Sequence, residues 1–276
     1  MVVLVTGCSG QLGQALQYIA GDYSNIQFYF ASSSEADITK LDGLHEIFQR
    51  IQPEFCINTA AYTAVDKAEN DIENAYLINS KGAKNLAEVC HIYNTTLVHI
   101  STDFVFDGGK STPYSEEDIT NPQNIYGNSK LKGEIEIAKN LEQYFIVRTS
   151  WLYSQFGNNF LKTMLRLAKE KKSLSVVNDQ IGTPTNAVDL AKALILIILS
   201  GSKNYGIYNF SNEGSASWYD FAKEIFELNK VESELISIPT TSFPTPAIRP
   251  RYSVLDKAKI KNEFKIQIIN WKDSLH

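Results

Sequence analysis

Cysteine is scarce. Cys8, Cys56 and Cys90 are the full complement; their odd number and wide spacing exclude a disulfide framework and fit reduced thiols in a cytoplasm. The four histidines, His45, His91, His99 and His276, make no ligand-like spacing with them, so no metal motif emerges. Basic runs are missing, and a formal net charge of −5 argues against nucleic acid as a partner. Long apolar runs are missing too. Val2–Val5 is too short, and lacks the basic flank, to be a signal peptide. The longest later run, Ala193–Leu199, falls far below the ~20 residues that span a bilayer, so no membrane partner is expected.

What is present is an ordinary globular composition, 43% hydrophobic and 21% charged over 276 residues, enough chain for a large core or two fused ones. Apolar β-rich runs (Val2–Thr6, Ile26–Phe30, Phe55–Thr59, Leu97–Ser101, Phe145–Ser150) alternate with helical patterns (Gln11–Ala20, Leu41–Ile51, about 66–91). That rhythm predicts an α/β fold with a Rossmann-like, doubly wound parallel sheet. Ligands in such sheets gather at the carboxyl ends of the strands, near the switch in strand order. After Ser150 helical segments mix with short strands, and Pro239, Pro244, Pro246 and Pro250 exclude regular helix or central strand over 238–250. A smaller, irregular C-terminal α/β lobe is expected there.

The first strand runs into TGCSGQLG, which places Gly7, Gly10 and Gly13 three residues apart, with Ser9 inside the loop. Strand, glycine loop and helix in that order suit a pyrophosphate, because the helix N-terminus offers oriented N–H groups and partial positive charge. The same spacing would also serve a plain strand–helix turn. The second strand ends in FYFASSSEAD. It offers Ser32, Ser33 and Ser34, a displaced Glu35 and no arginine, so NAD(H) and NADP(H) both remain open. Asp37 is either an adenine-side contact or the N-cap of the next helix. Ala60 and Ala61 are small where a cofactor would cross the edge of the third strand.

Tyr126 and Lys130, in NIYGNSK, share a helix face. With 14 tyrosines and 21 lysines, roughly one such spacing arises by chance, and Tyr219/Lys223 is a second. The surroundings separate them. Tyr219 lies in an apolar stripe (Trp218, Phe221, Ala222, Ile225, Phe226) that reads as core. Tyr126 follows a strand whose end carries Ser101, Thr102 and Asp103. A hydroxyl, a phenol and an ammonium at one strand end could protonate a carbonyl oxygen as hydride reaches its carbon. A neighbouring Lys⁺ would lower the phenol from its usual ~10.

Together with NTAAYTAVDKAE, STDFVFDG, IYGNSKLKGE, VRTSWLY, DQIGTPT and RPRYSVLD, these words resemble the dTDP-4-dehydrorhamnose reductases, a branch of the extended short-chain dehydrogenases/reductases, over essentially the whole chain. The resemblance implies a dinucleotide-binding domain over 1–150 and mainly a substrate lobe over 151–276, with about 174–199 packing back on the first. It implies NAD(P)H-dependent reduction of the 4-keto group of dTDP-4-dehydro-L-rhamnose, with Thr102, Tyr126 and Lys130 as catalytic residues. Gly10, Gln11 and Leu12 match the cofactor loop, Asp37 and Ile38 its adenine end, and Ala61, Tyr62 and Thr63 strand-end contacts. Thr102, Asp103 and Trp151 match the substrate side. Arg249 matches a diphosphate-binding arginine, whose forked guanidinium suits phosphate; a surface ion pair is the bland rival. Some relatives form homodimers through acidic residues that hold Mg²⁺. No such set is matched here, so homodimer and Mg²⁺ both stay open. Phe104 stands where related 4,6-dehydratases carry an acid, which disfavours dehydration. A 4-epimerase and a regulatory subunit on the same fold are the other rivals.

Overall fold

The computed structural model describes residues 1–275; His276 lies outside the described residues. The strands are β1 (Val2–Thr6), β2 (Gln27–Ala31), β3 (Phe55–Asn58), β4 (Thr96–Thr102), β5 (Tyr144–Thr149), β6 (Leu152–Tyr153), β7 (Ser173–Val177), β8 (Ile181–Gly182), β9 (Thr185–Asn186), β10 (Gly206–Asn209), β11 (Ala216–Ser217) and β12 (Glu234–Ile238). The helices are α1 (Gln11–Ile19), α2 (Leu41–Ile51), α3 (Val65–Ala68), α4 (Ile72–Tyr76), α5 (Ala83–Ile92), α6 (Ile125–Asn140), α7 (Phe160–Glu170), α8 (Ala187–Leu199), α9 (Trp218–Leu228) and α10 (Ala258–Phe264). A π-helical turn, Leu77–Gly82, joins α4 to α5, so the helical pattern over 66–91 is several pieces rather than one rod.

Six strands form a parallel sheet in the order β10-β5-β4-β3-β1-β2. Its inner strands β1, β3, β4 and β5 are mostly buried on both faces, as a sheet covered on each side requires, while the edge strand β2 is partly exposed. Side chains alternate along β1. Val3 and Val5 pack with α1 and α8, while Leu4 packs with α2 and α5. The chain passes from β1 to β2 on one side and then to β3 on the other. The crevice at the carboxyl ends of β1 and β3 is therefore the switch point where ligands collect in such sheets.

A second, smaller core joins α7, α9, β7 and β12 through Met164, Leu174, Val176, Phe221, Ile225, Phe226 and Trp271. The chain crosses between the two parts more than once. β7 (173–177) sits in the small part, α8 lies on the large sheet beside α1, and β10 adds the sheet's edge next to β5. Most of the apolar run in α8 is buried on the sheet, with Leu196 and Leu199 exposed. Among the described residues no helix is long and apolar enough to cross a membrane.

Candidate active site

The ends of β1, β3, β4 and β5 open into one cleft of about 680 Å³, within the range of small-molecule sites. Ser9 to Leu12 line it after β1, Ala61 and Thr63 after β3, Thr102 and Asp103 after β4, and Trp151 after β5. Tyr126 and Lys130 come from α6, Arg249 from the C-terminal segment.

The three loop glycines have different physical reasons. Gly7 has φ +71°, and a Cβ there would lie 2.5 Å from the Ala60 nitrogen. It lets the turns after β1 and β3 touch. A Cβ on Gly13 would lie 2.5 Å from Cys8 Cα, so this position seats α1 against the loop. A Cβ on Gly10 would meet only the Gly7 carbonyl oxygen, at 3.4 Å, so no close protein contact explains it. Gly10 is the N-cap of α1, no side chain caps that terminus, and Gly10 lines the cleft. Uncapped first-turn N–H groups beside a residue with no side chain fit a pyrophosphate. The Gln11 side chain is held from the far wall, where its Oε1 accepts from Ser154 Oγ (3.0 Å) and Asn159 Nδ2 (2.9 Å).

Tyr126 is in the first turn of α6. Asn124 caps that helix by accepting from the Gly127 N–H at 2.7 Å, and Glu69 accepts from the Ile125 N–H at 2.9 Å. A Cβ on Gly127 would lie 2.2 Å from the Phe104 carbonyl oxygen, so glycine there lets α6 press onto the turn Asp103–Val105 and brings Tyr126 beside Thr102. The Tyr126 ring meets Phe104 edge-on, with centroids 5.6 Å apart. Thr102 Oγ1 donates to Asp103 Oδ1 (3.1 Å) and accepts from the Phe104 N–H (3.2 Å).

The electrostatics differ from the expectation that Lys130 acidifies Tyr126. Burial pushes the Tyr126 hydroxyl up to about 12; Thr102 beside it acts downward and Asp103 upward. Lys130, 2% exposed, donates to the Ile100 carbonyl at 2.6 Å and lies 3.3 Å from His99 Nε2. Burial pushes it down to about 8, against the pull of Glu134. Its amine is thus bonded to β4. Burial also raises Asp103 to about 6. Asp103 Oδ2, Ser101 Oγ and Thr149 Oγ1 are buried beside the cleft without a well-formed hydrogen bond, although Ser253 lies near enough to Asp103 to pull its carboxyl downward against burial.

On the opposite wall Trp151, at φ +46°, stacks on Trp218 with centroids 3.6 Å apart and planes 6° from parallel. Trp218 read as a core residue of α9, yet it lines the cleft; nothing in the helical stripe distinguishes it from its neighbours. Tyr219 packs in the small core and Lys223 is exposed near Glu227, 3.9 Å away. The Arg249 guanidinium forks onto Asp66, Nη1 to Oδ1 at 3.0 Å and Nη2 to Oδ2 at 2.7 Å, so it is both ion-paired and at the cleft.

Other expected cofactor residues sit away from the cleft lining. Ser32 Oγ bonds Ser34 Oγ and Glu35 Oε2, both at 2.8 Å. Asp37 is not a helix cap, since Lys40 precedes α2; its Oδ1 instead accepts from Thr39 N–H (3.0 Å) and Oγ1 (2.7 Å). Ile38 is buried in the core beneath α2 and α5. The Tyr62 hydroxyl donates to Asp71 Oδ2 at 3.0 Å, and Asn79 bonds its backbone N–H and carbonyl. Ala60 touches Gly7, as above. Among the described residues no group of three or more His, Cys, Asp or Glu could hold a metal ion.

Comparison with known proteins places this geometry in context. The family model described as "RmlD substrate binding domain" matches residues 1–276. A dTDP-4-dehydrorhamnose reductase of Aggregatibacter actinomycetemcomitans is 42% identical, covering 99% of this chain and 96% of the relative. A crystal structure of a dTDP-4-dehydrorhamnose reductase from Clostridium acetobutylicum superposes with TM-score 0.94 at 42% identity, covering 100% of this chain and 97% of the other. One from Bacillus anthracis, in complex with NADP, has TM-score 0.94 at 40% identity, with 99% and 96% covered.

Proposed function

The chain belongs to the family of the RmlD substrate binding domain, and we propose that it is an NAD(P)H-dependent 4-ketoreductase that converts dTDP-4-dehydro-L-rhamnose to dTDP-L-rhamnose. The observation that carries this reading is Thr102, Tyr126 and Lys130 meeting in the cleft that begins at Gly10. Full-length relatives of that name support the substrate, and the NADP-bound relative supports the cofactor class.

The uncapped first turn of α1 and the free face of Gly10 fit a dinucleotide. Gly10, Gln11 and Leu12 would hold its pyrophosphate, Ala61 and Thr63 would flank it, and Lys130 would meet its nicotinamide ribose. When bound, it supplies the hydride. Tyr126 supplies the proton. A hydroxyl pushed up to about 12 keeps its proton at neutral pH and gives it up only to a stronger base. A ketone oxygen that gains negative charge is such a base, so transfer is timed to the reaction. Thr102, which lies beside the Tyr126 hydroxyl and donates to Asp103 in this structure, can turn its proton to the same ketone oxygen and hold it in line with the phenol. The Trp151–Trp218 face would take the flat side of the sugar, and Arg249 the diphosphate.

The test is NADPH and NADH consumption with dTDP-4-dehydro-L-rhamnose. Tyr126→Phe should lose roughly 10²–10⁴-fold in kcat while NADPH still binds. Unimpaired turnover by that variant would overturn the mechanism.

A further inference from the structure

The Gln11 side chain joins two parts of the chain that the sequence keeps far apart. It stands first in α1, at the glycine loop. Its amide reaches Ser154 and Asn159, which lie between β6 and α7. The stem is engaged as well. Gly157 has φ +58°, and a Cβ on it would lie 3.1 Å from Gln11 Cγ, so the loop 154–159 rests directly on this residue. About two turns further along α1, Tyr18 lies against Phe156 with centroids 6.0 Å apart.

The orientation of both amides follows from one fixed donor. The Lys162 backbone N–H can only donate, and it donates to Asn159 Oδ1 at 3.1 Å, which caps α7. Asn159 Nδ2 is therefore the atom that faces Gln11. The Gln11 atom 2.9 Å from it must accept, and so is Oε1. The Gln11 amide nitrogen keeps both its N–H groups, and among the described residues none accepts from them. Gln11 lines the cleft, so these donors stand beside the uncapped N-terminus of α1, where an anion is favoured.

Asn159 carries the path onward. Phe160, the first residue of α7, packs on Trp218 with centroids 4.7 Å apart, and Trp218 stacks on Trp151. A continuous line of packed and hydrogen-bonded groups thus runs from the glycine loop to the aromatic wall. We propose that Gln11 is a positioning residue for that wall: its N–H groups take an oxygen of a bound pyrophosphate while its amide oxygen holds the cap of α7, so that cofactor binding steadies Phe160 and Trp218 for the sugar nucleotide. The identity of the two ligands rests on the reductase reading. Linkage makes the effect mutual: the factor by which NADP⁺ tightens dTDP is the factor by which dTDP tightens NADP⁺.

Hydrogen exchange of the α7 amides, with NADP⁺ as the only ligand, reads this path without turnover. Lys162 and Thr163 donate to Asn159, and neither lines the cleft, so a ligand there does not cover them. In the parent protein saturating NADP⁺ should slow their exchange about tenfold or more. Gln11→Met removes the acceptor and the donor. Its α7 amides should exchange faster than the parent's without cofactor, and saturating NADP⁺ should not slow them. Gln11→Glu keeps the acceptor and loses the donor. Its cofactor-free exchange should match the parent's, again with no slowing by NADP⁺. By calorimetric titration, dTDP should bind the parent about fivefold or more tighter with NADP⁺ than without, and Gln11→Met should abolish that ratio. A role confined to packing would lower the melting temperature of Gln11→Met and leave the NADP⁺ effect on α7 intact. That result, or no NADP⁺ effect on α7 in the parent, would overturn the proposal. A parent whose α7 responds to NADP⁺ through Gln11 but which neither binds dTDP nor reduces the ketosugar would support the coupling and overturn the reductase reading alone.

Discussion

Asp103 is kept in a costly state. It is 1% exposed, one carboxylate oxygen has no well-formed hydrogen bond, and burial raises it to about 6 from 3.8. That shift corresponds to about 3 kcal/mol of destabilisation at neutral pH. The sign follows from linkage: the folded value lies above the unfolded one, so the cost is absent below about pH 4 and complete above about pH 6. Asp103→Asn should therefore raise the melting temperature by about 5 °C at pH 7, with the gain vanishing by pH 4. It should also lower kcat/KM at least tenfold, since Asp103 lines the cleft beside Tyr126. Scanning calorimetry across pH together with the NADPH assay checks both halves. At the same scale Lys130→Ala should depress kcat and weaken NADPH binding together, measured by steady-state kinetics and fluorescence titration.

Elements explain why the glycine loop is not one motif but three constraints. Gly13→Ala would drive a methyl into the Cys8 backbone, forcing α1 off β1. A loss of about 1–3 kcal/mol in stability is expected, and cofactor binding should fall with it. Gly10→Ala meets no such obstacle. Its melting temperature without cofactor should stay within about 1 °C of the parent, while NADPH affinity falls tenfold or more. Equal destabilisation of both variants would mean that Gly10 is structural as well. The α6 helix works the same way. Its cap, Asn124, and its close fit over Phe104 set Tyr126 to within reach of Thr102, so the four-residue spacing of Tyr126 and Lys130 becomes useful only when that turn is in place. The equivalent spacing in α9 puts Tyr219 against the small core and Lys223 in solvent, and remains packing.

The whole molecule closes the cleft from its far side. Asp66 and Arg249 are 183 residues apart, and Trp151 meets Trp218 only because β5 and α9 approach across the opening. Arg249→Ala should raise KM for the sugar nucleotide tenfold or more, leave KM for NADPH within twofold, and change stability by under about 1 kcal/mol, because Asp66 is well exposed. A rise in KM for NADPH instead would put Arg249 on the cofactor side. Tyr126→Phe with intact NADPH binding completes the division of labour between the two sides.

Much of this was legible in the chain itself. The strands, the glycine loop and the residues at the ends of β1, β3 and β4 announce themselves because periodicity and turn chemistry are local, and a parallel sheet must bring its strand ends together. Other features needed the tertiary structure. Asp66 beside Arg249, Trp218 in the cleft wall and the bond from Lys130 to Ile100 join distant positions that no spacing connects. The acidity of Tyr126 reversed expectation for the same reason. A Lys⁺ four residues away was to lower it, but burial raises it, while the lysine bonds the Ile100 carbonyl. Sequence determines which groups can take part; only the packed structure decides how dry they are and which partner each one faces, and those two quantities set the chemistry.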